Sequence, residues 1–153
     1  MVWKLSSAAG LESAARAALS AAFPLALNAS RAPRPTPEAR LPAFTVTVTP
    51  EQSEPAGMGS GERLIDGTLR VEVFAKAAAP DRPELADLAT DVVGVILGDP
   101  GLAIELGAID AGTVTIETEA EAAAFARIEV AFGIQWLEAP AVSAGVRARF
   151  GLA

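Results

Sequence analysis

Alternation of apolar and polar side chains is the clearest signal along the chain, and it is sharpest over residues 67–76, GTLRVEVFAK. Leu69, Val71, Val73 and Ala75 share one side of an extended backbone, and Arg70, Glu72, Phe74 and Lys76 share the other. Side chains of a strand point alternately to its two faces, so this period of two predicts a strand with one buried face. Residues 43–49, AFTVTVT, set Phe44, Val46 and Val48 against Thr45, Thr47 and Thr49, and Pro50 is expected to end that strand. Residues 113–119 set Val114 and Ile116 against Thr113, Thr115, Glu117 and Glu119. The longest run is 124–137, with Ala126, Ile128, Val130, Phe132, Ile134 and Trp136 on one face. Its other face carries Phe125, Arg127, Glu129, Ala131, Gly133 and Gln135, and Pro140 follows as a stop.

Two stretches switch to the helical period. Over residues 3–22, Leu11, Ala15, Ala18, Leu19 and Ala22 form one stripe, and Ser6 or Ser7 is suited to accept a free first-turn N–H. Glu12 and Arg16, four residues apart, are spaced for a weak ion pair. Alanine favours helix but buries little area, so this helix needs a partner surface. Pro24 stops it, with Phe23 and Leu25 anchoring its end. Over residues 84–97, Leu85, Leu88, Val92 and Val95 or Ile96 form the stripe, with Glu84 and Asp87 near the positive N-terminal end. The GDPG of 98–101 terminates it, and 102–112 reads as irregular chain packing over a sheet edge.

The connections carry their own signals. Residues 28–42 hold Pro33, Pro35, Pro37 and Pro42 together with Arg31, Arg34 and Arg40, the densest basic patch in the chain. They read either as a proline-stiffened surface loop or as a contact for an acidic neighbour. Residues 51–66, EQSEPAGMGSGERLID, read as a long mobile hairpin loop. Its Gly57, Gly59 and Gly61 lack the lysine and the helix start of a phosphate-binding loop, and Glu51, Glu54, Glu62 and Asp66 repel phosphate. Loops of that length in a compact domain are usually functional or ordered by a partner.

The order α-β-β-α-β-β predicts an α+β fold, a four-stranded mixed sheet with two helices packed on one face. The crossover helix makes 67–76 and 113–119 parallel, and the last strand fits between them, antiparallel to both. That places Arg70 opposite Glu129 and Glu72 opposite Arg127. The second sheet face, with Phe74 and Phe125 exposed on it, either meets a partner or is covered by a loop or the C-terminal tail. Residues 1–140 form a single domain in this reading, and 141–153 a weakly patterned tail expected to be mobile alone.

Composition narrows the chemistry. The 153 residues suit one domain with a real core, and 51% of them are hydrophobic, though many of these are alanine. A net charge of −7 argues against nucleic-acid and anionic-membrane surfaces. The chain has no cysteine, histidine or tyrosine. Disulfides, thiolate metal sites and the commonest general base are thereby excluded. Glu117 and Glu119, on one side of a strand, read as a solvated hairpin edge rather than an acid–base or cation pair. No apolar run reaches a membrane span, and Glu12 and Arg16 break the pattern of a signal peptide. The chain reads as a non-enzyme with no cofactor and no metal.

Residues 41–102 run LPAFTVTVTPEQSEPAGMGSGERLIDGTLRVEVFAKAAAPDRPELADLATDVVGVILGDPGL. A proline-preceded strand is followed by a polar Gly- and Glu-containing loop and a strand of the type L-x-V-E-V-F. A Pro/Asp turn, an acidic leucine-bearing helix and D-P-x-L come next. With the N-terminal helix and the hairpin TVTIETEAEAAAFARIEVAFGIQW, this resembles the tail terminator proteins of long-tailed phages, the minor tail protein U type, over residues 5–137.

The resemblance implies a structural virion protein, from a siphophage or a phage-like gene transfer agent. It implies a homo-hexameric ring at the head-proximal end of the tail, made in the host cytoplasm. Such a ring caps the tail tube, stops its polymerisation and joins it to the head-side connector, with major tail tube protein and connector as partners and DNA passing through without specific binding. The candidate interface comprises Arg31, Arg34, Arg40, Glu51, Glu54, Glu62, Arg70, Glu72, Phe74, Phe125, Arg127 and Glu129. Another head–tail connector, a stopper or head-completion protein, and a small ligand-binding α+β domain are the alternatives.

Overall fold

A computed structural model describes residues 5–28, 41–57, 61–76, 81–110, 112–118, 125–139 and 144–152. The elements in order are α1 (Ala8–Ala22), β1 (Leu27–Asn28), β2 (Ala43–Pro55), β3 (Arg63–Lys76), α2 (Arg82–Gly98), α3 (Pro100–Glu105), β4 (Leu106–Ile109), β5 (Thr113–Thr118), β6 (Phe125–Glu138) and α4 (Ala144–Arg149). The fold is α+β. Its sheet runs β1-β2-β3-β6-β4, and β5 also pairs with β6, so six strand segments fill five positions.

β6 lies between β3 and the β4–β5 edge and is antiparallel to each, so β3 and β5 run parallel across it. This is the expected placement. All neighbouring strands are antiparallel except the short β1–β2 pair, which alone makes the sheet mixed. The expectation of four strands and two helices was too small. Leu102–Ile109 is regular, not irregular: α3 and then β4 occupy it. Asp99 caps α3 by accepting from the Leu102 N–H, with Pro100 in the first turn. The Asp-Pro pair read as a helix stop is therefore also a helix start.

The long loop expected over 51–66 is mostly strand as well. β2 continues past Pro50 through an irregularity between Pro50 and Gln52, and Gln52–Pro55 pairs with Arg63–Asp66. Proline is tolerated there because β2 is an outer strand at this point and its missing N–H breaks no inner ladder. Arg63 ties the extension by donating to the Ser53 hydroxyl and to its carbonyl.

Leu69, Val71 and Val73 oppose Phe132, Val130 and Ile128 on the helix-covered face. Leu11, Ala15 and Leu19 of α1 and Leu85, Ala89, Val92 and Ile96 of α2 close over them in one core with Leu102. Burial of each large side chain contributes about 1.5–3 kcal/mol. Trp136 is fully buried, and its indole N–H donates to Glu138, so its polar atom is satisfied. Ser7 caps α1 by accepting from the Gly10 N–H, and Arg16 pairs with Glu12 at 3.3 Å. The tail is not featureless. α4 ends in a Schellman turn, with Gly151 at φ 70°, its N–H donating to the Ala148 carbonyl and the Leu152 N–H to that of Arg147.

Candidate functional site

Six of the twelve candidate residues come together on the face of the sheet away from the helices. β3 contributes Arg70, Glu72 and Phe74, and β6 contributes Phe125, Arg127 and Glu129, because period-two backbones in antiparallel register bring their polar rows side by side. The register differs by two residues from the expected one. Glu72 directly opposes Glu129, Arg70 opposes Ala131, and Phe74 opposes Arg127. The expected ion pairs nevertheless form, as diagonals: Arg70 to Glu129 at 3.1 Å and Arg127 to Glu72 at 3.0 Å. Long side chains reach across that diagonal, and doing so relieves the two carboxylates that face each other.

Arg127 is the centre of the group. Its three guanidinium nitrogens donate to Glu72, Glu117 and Glu129, the Glu117 contact at 3.2 Å. Burial works against its charge, but hydrogen bonds and attraction from Glu72 and then Glu129 outweigh it and hold its pKa above the ordinary guanidinium value. Glu117 is exposed, as expected of a solvated edge, and it also stands on β5 opposite Arg127; that place in the row follows only once β5 is set beside β6.

Phe74 and Phe125 are half-buried rather than exposed. Thr45, directly opposite Glu72, is buried, and its hydroxyl has no hydrogen-bond partner among the described residues. The solvated part of the face is therefore Thr47, Thr49 and Arg70 on one side and Thr113, Thr115 and Glu117 on the other.

The remaining candidates lie elsewhere. Glu51 and Glu54 are exposed on the β2 extension, where Glu51 accepts from the Thr68 hydroxyl. Glu62 is half-buried at the hairpin turn, and its carbonyl accepts from the Ala56 N–H. Arg31, Arg34 and Arg40 lie outside the described residues.

Glu12 is the interaction that sequence reasoning missed. Its carboxylate accepts from the backbone N–H of Val48 at 2.9 Å, so α1 covers part of the outer edge of β2 with a side-chain acceptor. Beyond it, Glu51–Pro55 of β2 pairs only with β3, and β5 pairs only with β6, among the described residues. Among the described residues, two stretches on opposite edges of the sheet therefore have no further strand partner. Among the described residues no cluster of three or more acidic side chains is placed to hold a metal ion, and no helix is long and apolar enough to cross a membrane. Comparison of the chain with protein-family models and with curated proteins gives no match.

Proposed function

We propose that this chain is a tail terminator: a structural subunit assembled as a ring of six on the head-proximal end of a phage-like tail. There it stops growth of the tube and presents a surface to the head-side connector. The reading rests on the resemblance over residues 5–137. The observation that carries it is the pairing of one closed face with two open sheet edges. Copies that meet head to tail close a ring only if each offers two different surfaces. The outer half of β2 and the outer side of β5, which have no further strand partner among the described residues, are two such surfaces, each able to take a neighbouring strand.

The polar row around Arg127 belongs to that scheme as the ground between the edges. Within its ion-pair network three carboxylates, Glu72, Glu117 and Glu129, meet two guanidinium groups, Arg70 and Arg127. Glu51 and Glu54 on the β2 extension lie near the lumen or the tube contact in this reading, and a net charge of −7 lets DNA slide instead of adhering. Mapping that hairpin to the outer rim of an assembled particle would remove it from either role.

Native mass spectrometry with negative-stain imaging tests the proposal. Closed rings of six are expected, and tail-tube subunits from the same particle should stop elongating when the protein is added. A chain that stays monomeric at high concentration and gains thermal stability from a small ligand would be a binding domain instead.

A further inference from the structure

We propose that the C-terminal segment around α4 is an exchanged arm: it docks into an apolar groove on a second copy of this chain. The groove, about 340 Å³, opens between the end of α1, α2 and the sheet, with Phe23, Phe44, Leu88 and Val92 on its walls and Leu25 at its mouth. Leu25 is 92% exposed. A cavity of about 150 Å³ takes one benzene ring, so this groove has room for an aromatic ring and a second apolar side chain.

The arm supplies that chemistry. Val146 in α4 and Phe150 in the turn that ends it lie four apart, with the Phe150 N–H donating to the Val146 carbonyl; Leu152 follows, and all three are more than half exposed. A six-residue helix is marginal in water by itself, so a segment with a formed Schellman end and an exposed apolar edge is built to pack on something. Charge agrees. The arm carries Arg147 and Arg149, whereas Glu84 and Asp91 flank Leu88 at the groove, one turn before and after it on α2, and both are exposed.

Geometry selects a second copy over the arm's own groove. Val73 on the groove wall stands opposite Ile128, whereas the arm leaves from Glu138, ten residues or about 33 Å further along β6. Six fully extended steps to Ala144 and two helical ones carry Val146 only about 24 Å. Phe150 gains about 6 Å more, and only along a straight line. The two anchors cannot both enter the groove of their own chain. This inference does not depend on the tail reading, since any assembly of this chain could use such an arm.

The absence of native cysteine makes the test direct. One copy carries Leu25→Cys and another Leu152→Cys; they are mixed and treated with a short bis-maleimide, with circular dichroism verifying that both are folded. The mixed pair is expected to link in preference to either copy with itself. The yield should fall at least tenfold when Phe150→Asp, or Arg147→Glu with Arg149→Glu, is added to the arm. Glu84→Arg with Asp91→Arg in the groove copy should restore the charge-reversed arm. Linkage no greater than that of the Phe150→Asp control overturns the proposal, as does a chain carrying both cysteines that links only within itself. Rings without this linkage would leave the tail reading standing; linkage without rings would leave only the arm.

Discussion

The carboxylate of Glu12, on α1, accepts the backbone N–H of Val48, on β2, at 2.9 Å. A helix side chain thereby completes the ladder of a strand edge. Glu12→Ala removes the acceptor and should cost about 1–2 kcal/mol in urea unfolding, with faster hydrogen exchange at the Val48 amide. Arg16→Ala removes the helical ion pair and an exposed hydrogen bond to the Ser13 hydroxyl, leaves the Val48 contact in place, and should cost no more than about 0.5 kcal/mol. Equal losses in the two variants would show that the ion pair, not the edge contact, is what matters.

Arg127 should behave as a hub. Arg127→Gln leaves Glu72 and Glu129 facing each other with Glu117 beside them, and should destabilise by about 1–2 kcal/mol, less at high salt. Adding Glu129→Gln should recover part of that loss, because it removes the repulsion and not merely a partner. A strictly additive double variant in a double-mutant cycle would contradict the coupling.

The two faces of β3 should respond differently to the same charge. Val71 is fully buried, so Val71→Asp places an unpaired carboxylate in the core and should leave no folded protomer by circular dichroism. Phe74 is half-buried on the polar face beside Arg127, so Phe74→Asp should fold but assemble poorly when scored by native mass. A Phe74→Asp protein with normal assembly would remove this face from the contact.

Two glycines should give opposite signs. A Cβ on Gly67 would sit 2.4 Å from the Thr49 carbonyl oxygen and 3.0 Å from the Trp136 ring, and backbone cannot swing away. Gly67→Ala should lower stability by about 1–3 kcal/mol. A Cβ on Gly94, exposed in α2, meets nothing within 4 Å. Gly94→Ala should raise stability by about 0.5–1 kcal/mol. Thermal unfolding of the two variants reads both.

Where one face of an element is buried, its period was legible. The stripe of α2, the cap at Ser7 and the two faces of β3 and β6 all follow from spacing. The Arg70–Glu129 and Arg127–Glu72 partners were also legible, but as directly opposed pairs. Charge matching fixes which residues meet and leaves the register free by two, because long side chains bridge a diagonal as readily as a direct pair. The β2 extension was hidden for a different reason. Gln52, Ser53 and Glu54 are exposed on both sides of the strand, so no alternation marks them. At α3 the signal was present and double: Asp99 and Pro100 follow one helix and open the next. α4 escaped because it has a stop, Gly151, but no long stripe before it.

Leu5 bridges to Leu137, the Ser6 N–H donates to the Leu137 carbonyl, and the Ser6 hydroxyl donates to Glu105. The lead-in to α1 and the end of β6 therefore leave the domain side by side. A circular permutant that joins Ala139 to Leu5 through a short glycine-serine linker, and opens the chain at Gly57 in the turn after β2, keeps every strand pairing of the sheet.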